Sequence, residues 1–135
     1  MATETDILDV IERYNRPFSP TPTYTEVGDC IELFFCDEDF HADRVDCWLT
    51  VYRSFADNRV IGFMLKNVKT LLSAFESLGL DCRVVRQGSK VQLVSLIAFV
   101  PWVEPAAVER NPYRDLLNCL KTHPEVQEVD LARAA

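Results

Sequence analysis

The chain is short of the residues that build common catalytic loops. Its 135 residues include only four glycines, little material for a phosphate-cradling loop. No G-x-G-x-x-G, P-loop, G-x-S-x-G or H-E-x-x-H pattern occurs. Histidine is scarcer still, at two residues. The five cysteines, Cys30, Cys36, Cys47, Cys82 and Cys119, are odd in number and form no C-x-x-C pair, so the paired spacing of a structural zinc site is missing. The N-terminal stretch is acidic and amphipathic, unlike a signal peptide. Together these features predict free thiols in a reducing, cytoplasmic setting. The longest apolar stretch, Val91–Val103, contains Gln92, Ser95 and Pro101. It falls short of the roughly 20 apolar residues of a membrane span. Cations are outnumbered, with 14 Lys and Arg against 21 Asp and Glu and a net charge of −7. Such a surface repels phosphate backbones, which speaks against a nucleic-acid partner.

What is present reads as one globular domain over residues 1–135. Hydrophobic residues make up 48% and charged residues 26%, enough for a core without disulfides or metal. Asp6–Tyr14 has helical spacing, and the following RPFSPTPTY segment is broken by three prolines. Residues 1–23 are therefore expected to form a helix and a Pro-rich arm packed on the body, docked through Phe18 and Tyr24. Three strands follow, Tyr24–Cys36, Val45–Phe55 and Arg59–Asn67, the last two joined by a turn at Ala56-Asp57-Asn58-Arg59. An antiparallel meander is expected. Val68–Leu78 repeats Leu71, Leu72, Phe75 and Leu78 at helical spacing, with Gly79 placed for a left-handed cap. Cys82–Gln87 and Val91–Val100 read as a second hairpin about Gly88-Ser89, the latter a central strand because it is nearly all apolar. Pro101–Arg110 reads as a loop. Asn111-Pro112 marks a helix start, His123-Pro124 its end, and Val126–Leu131 a short edge strand. Strand runs broken by single helices predict an α+β fold, with a mostly antiparallel sheet of five or six strands and two or three helices.

Within this pattern Tyr24, Asp29, Ile31 and Leu33, followed by Asp57, Arg59, Val60, Ile61, Gly62 and Phe63, carry a resemblance. Residues 24–68 are similar to a small bacterial domain family of unknown function, whose pattern runs Tyr, four residues, Asp, alternating apolar positions and a Val-Val-Gly-Ile/Phe-type strand. The chain departs from that pattern by an acidic insertion at 37–43 and by its added helices and second hairpin. The resemblance implies a fold fragment and carries no activity or site residue.

The stretch richest in chemistry is Cys36-Asp37-Glu38-Asp39-Phe40-His41-Ala42-Asp43, followed by Asp46 and Cys47. Asp37, Asp39, His41 and Asp43 are the candidate metal ligands. Their spacing is poor, since a calcium loop counted from Asp37 would put Ala42 where Gly belongs and Trp48 where Glu belongs. The plainer reading is a solvated acidic loop. A thiol nucleophile at Cys36 or Cys47, paired with His41, is a second option. It is opposed by the neighbouring carboxylates, which raise a thiol pKa, and by Cys47 sitting among apolar strand positions. His123 is read as a helix-end cap.

Binding candidates are aromatic and basic. Trp48 and Tyr52 lie opposite the aliphatic face of their strand, and Trp102 follows Pro101. They are either core or an exposed interaction patch. Arg83 and Arg86, with Lys90, cluster about the second hairpin turn, either as an anion site or as charges that guard an edge strand. No catalytic residue is assigned. These readings favour a non-enzymatic binding or protein-interaction module, with a protein partner or a homodimer, no cofactor, no nucleic acid and no membrane. The rivals are a metal- or thiol-dependent enzyme built on residues 36–47, and a small-molecule pocket between the sheet and the Val68–Leu78 helix.

Overall fold

A computed structural model describes residues 18–78, 86–103 and 110–133 of the chain. The expected N-terminal helix, the Gly79 cap and Arg83 lie outside the described residues. The fold class is α+β. A five-stranded sheet has the order β1-β2-β5-β4-β3, with β1 Thr23–Thr25, β2 Cys30–Phe34, β3 Phe40–Arg44, β4 Leu49–Ser54 and β5 Val60–Lys66. Every pairing in it is antiparallel.

The strands alternate as their residues require. Ile31, Leu33, Leu49, Val51, Phe63 and Leu65 point to one face and are fully or almost fully buried. Glu32, Phe34, Thr50, Tyr52, Gly62 and Met64 share the other by register. Helix α1, Val68–Ser77, sends Val68, Leu71, Leu72 and Phe75 into the core, as its spacing predicts. Its N-terminal cap comes from far along the chain. Asn67 sits there at φ 57° with no side-chain cap bond. Instead Asp29, at the turn before β2, accepts the Lys69 N–H at 3.2 Å on both carboxylate oxygens, and its carbonyl accepts the Val68 N–H.

The strand order corrects the expected meander. The β2 strand does not pair with β4; it returns beside β5. The cause lies in the acidic segment, where Phe40–Arg44 forms a strand rather than a loop and takes the outer edge of β4. That strand is exposed at nearly every position, so its alternation carries no apolar signal. A further correction concerns Val91–Val100. Only Lys90–Gln92 is a strand, β7, paired with β6 (Arg86–Gln87) and with β8 (Glu128–Asp130) in a three-stranded antiparallel sheet. Leu93–Val103 is helix α2. Leu93, Leu96, Ile97 and Val100 are fully buried at helical spacing, but the run is apolar nearly all round because α2 lies between α1 and the last helix. Periodicity alone does not separate such a helix from a buried strand.

The last helix, α3, covers Arg110–Lys121 and so includes Asn111. Tyr113, Leu116 and Leu120 are its buried residues. It ends as expected before Pro124, which begins a short 3₁₀ turn, and β8 lies at an edge of the small sheet. Among the described residues, no helix is long and apolar enough to cross a membrane.

Candidate functional site

The acidic segment is held by its own ion pairs and hydrogen bonds rather than gathered around a centre. His41 Nε2 is 2.9 Å from Asn58 Oδ1. Asp43 accepts from Arg53 Nε at 3.4 Å. Glu38 is clasped by Arg59, which also grips Asp57 at 2.8 Å. Asp37 and Asp39 line an open acidic depression with Glu38, Phe40 and Phe55. Among the described residues, no three His, Cys, Asp or Glu side chains converge as metal ligands. The Cys36 thiol donates to Glu38 Oε2 at 3.0 Å. Partial burial, then the Glu38 hydrogen bond and charge, push its pKa up, against the lowering effect of Arg59. The arrangement thus keeps the sulfur protonated, the reverse of what a nucleophile needs.

Cys47 differs from its expected place on an apolar strand face. The Asp46 carboxylate accepts the Trp48 and Leu49 N–H groups at 2.8 Å each. This turn delays the start of β4 to Leu49 and leaves Cys47 exposed.

The aromatic candidates separate. Trp48 is 5% exposed and belongs to the core. Tyr52 is on the opposite sheet face, yet it is also buried, under two other rings. Phe34 stacks on it with centroids 4.7 Å apart and planes at 7°, and Phe40 meets its edge at 4.9 Å. Its hydroxyl donates to Glu32 at 2.5 Å. Burial, then the Glu32 hydrogen bond and charge, push the Tyr52 pKa up. The stack depends on Gly62, which lies between Phe34 and Tyr52 on the central strand.

Trp102 is the candidate that stands free, at 80% exposure. Ala98 and Trp102, one helical turn apart, form the outer face of α2, and that face is one wall of a groove of about 640 Å³. The other wall is α3, with Tyr113 and Leu117 low in the groove and Arg110, Arg114 and Lys121 along it. At 3.6 residues per turn these three cations fall within about 40° of one another around the helix. None forms an ion pair with a described residue, and the described lining contains no carboxylate. In a chain of net charge −7 this is a local reversal of sign.

Arg110, Arg114 and Lys121 were not among the expected binding residues. Their spacing on one helix face was a usable signal, but reading 91–100 as a strand removed the facing wall. Arg86 contributes its backbone to β6, and Lys90 is exposed on β7. Beside α1 lies a depression of about 520 Å³, lined by Tyr24 and Glu26 and by Lys69, Leu72, Ser73 and Glu76 of the helix, while the buried face of α1 packs into the core. No family model matches the chain, and searches of curated proteins and of solved structures likewise find no match.

Proposed function

We propose that the protein is a non-enzymatic binding module that seats an acidic, apolar-anchored segment of a partner protein in the α2–α3 groove. The observation that carries this reading is the exposed Trp102 indole in one groove with three cations that form no ion pair with a described residue. Tryptophan and arginine supply much of the binding energy where they occur in interfaces, through large contact area and forked hydrogen bonding. The remainder of the acidic surface repels an anionic segment, and this local field draws it inward. The four described cysteines are unpaired, which supports a cytoplasmic location. The similarity of residues 24–68 to the uncharacterised bacterial family bears on the sheet and adds no residue to this groove.

The test is fluorescence anisotropy with a short labelled Glu-rich peptide carrying one Leu-Phe pair. Binding is expected to weaken about tenfold, or about 1.4 kcal/mol, in Arg114→Glu and in Trp102→Ala. Lys90→Glu, which makes the same charge change outside the groove, should leave it unaltered. Equal losses in Arg114→Glu and Lys90→Glu would reduce the effect to bulk charge and sink the reading. So would preferential binding of a labelled single-stranded oligonucleotide.

A further inference from the structure

We infer that the β3 edge is a self-pairing surface whose partner is β3 of a second copy of this chain, antiparallel about a two-fold axis at Ala42. The inference stands independently of the α2–α3 groove. Among the described residues, β3 is the outermost strand of the five-stranded sheet and pairs only with β4. The ladder phase determines what it presents outward. Val45 donates to the Leu49 carbonyl, and Phe55 donates to the Asp39 carbonyl. Those contacts fix Val45–Leu49 and Asp39–Phe55 as the close hydrogen-bonded pairs. Antiparallel pairs alternate in type, so His41 and Asp43 also turn their backbone groups toward β4. The N–H and C=O groups of Phe40, Ala42 and Arg44 therefore face out along the open edge.

The side chains along that edge complement their own reverse order. With Ala42 opposite Ala42 of the second copy, Phe40 falls opposite Arg44 and His41 opposite Asp43. Ala42–Ala42 and Phe40–Arg44 are then hydrogen-bonded pairs that use the outward backbone groups. His41–Asp43 is a non-hydrogen-bonded pair, the type in which opposing Cα atoms come within about 4.5 Å and side chains lie closest. Both members have capacity for this contact. His41 is held at Nε2 by Asn58 Oδ1, with Phe55 beside the ring at 5.4 Å, leaving Nδ1, which in the imidazolium form carries the N–H that donates to the carboxylate. Asp43 is half exposed and receives Arg53 on Oδ2, leaving Oδ1. On the other face Arg44 lies over Phe40 of the second copy, a cation–π contact. Phe40 itself is 42% exposed on the rim of the Phe34–Tyr52 stack, so pairing joins the two aromatic clusters. Charges on an edge strand ordinarily block indiscriminate pairing. Here the same charges repel other strands and admit this one in a single register.

Sedimentation equilibrium of the full chain up to about 0.5 mM, a range that captures weak association, should show a concentration-dependent dimer. Ala42→Pro removes an outward N–H and no β3–β4 bond, a substitution that edge strands tolerate. It should be monomeric with an unchanged circular dichroism spectrum. Register is tested separately by oxidative cross-linking. The Ala42→Cys pair would have Cα atoms about 5.5 Å apart, within disulfide reach. This variant should form covalent dimer at least tenfold faster than Arg44→Cys, above the background of the unsubstituted chain. A strictly monomeric wild type, a folded Ala42→Pro that still dimerises, or equal cross-linking of the two cysteine variants would overturn the inference. If Ala42→Pro does not fold, the two cysteine variants decide it.

Discussion

The hydroxyl of Tyr113 on α3 donates to the carboxylate of Asp46, 2.9 Å from Oδ2 and 3.2 Å from Oδ1. The same carboxylate organises the turn that starts β4 by accepting the Trp48 and Leu49 N–H groups. One aspartate therefore sets where a central strand begins and ties that point to the helix that forms a wall of the groove. The following residues continue the tie. Asn67, at the N-terminus of α1, donates its side-chain amide to the Cys47 carbonyl at 3.1 Å, and Trp48 packs in the core.

Asp46→Ala removes the carboxylate that accepts the Trp48 and Leu49 N–H groups and the Tyr113 hydroxyl. A loss of about 2–4 kcal/mol is expected, against about 1–2 kcal/mol for Tyr113→Phe, which removes a single donor. Urea unfolding monitored by circular dichroism measures both. Similar midpoints for Asp46→Ala and the wild type would mean that water replaces the carboxylate and that the turn holds itself.

Gly62→Ala tests the aromatic face. A methyl group there would stand 2.6 Å from the Leu33 carbonyl oxygen and 3.0 Å from Phe34 Cδ1. The first contact is with backbone of the neighbouring strand and does not yield by a rotamer change. The expected cost is about 1–3 kcal/mol, typical of overpacking, with a change in near-ultraviolet circular dichroism as the Phe34–Tyr52 stack opens. At a position free of steric conflict, the same exchange would instead be stabilising by about 0.4–1 kcal/mol through the unfolded chain, so the sign of the effect decides.

These contacts explain why some of the molecule was legible in the sequence and some was not. Helix α1 was legible because one face is buried and the other wet, and β5 because Phe63 and Leu65 alternate with Gly62 and Met64, although a register shift beyond Gly62 brings Val60, rather than Ile61, into the core cluster. Helix α2 was not, because burial on several sides erases the period by which a helix is recognised. The β3 strand was hidden for the opposite reason, since exposure on both faces leaves no apolar alternation. Strand order was illegible because β2 pairs with β5 across an intervening hairpin, a relation that no local pattern encodes. In the groove, Trp102 was singled out from its sequence position. The cations facing it belong to a relation between two helices, one of which has the apolar pattern of a buried strand.

The thiols should differ in reactivity. Cys47 is exposed, whereas Cys36, Cys30 and Cys119 are partly buried. Burial is the largest cause pushing each of those three thiols up, followed by Glu38 for Cys36, Glu32 for Cys30 and Asp115 for Cys119. Among these four, iodoacetamide at mildly alkaline pH should alkylate Cys47 first, as peptide mass spectrometry would show. Glu38→Gln removes a charge that holds the Cys36 proton while leaving Arg59, which favours the thiolate. Cys36 should then react several-fold faster. An unchanged Cys36 rate would mean that access, rather than ionisation, limits it.

Tyr24 links alkaline stability to the cap of α1. Its hydroxyl donates to Asp29 Oδ1 at 2.7 Å, so the side chain that caps α1 is itself anchored by a buried phenol. Burial first, then the Asp29 hydrogen bond and charge, push the Tyr24 pKa up to about 12. An unfolded tyrosine ionises near pH 10. Below pH 10 both states keep the proton, and the stabilisation is complete. Between about pH 10 and pH 12 the unfolded chain loses the proton while the folded chain retains it, so stability falls as pH rises. Tyr52 is pushed in the same direction, which makes Tyr24→Phe in a Tyr52→Phe background the cleaner comparison. That added substitution should cost about 1 kcal/mol near neutral pH through the lost hydrogen bond, and it should flatten the decline in unfolding free energy between pH 10 and pH 12. The same alkaline slope with and without Tyr24 would detach the phenol from the cap and leave Asp29 holding α1 unaided.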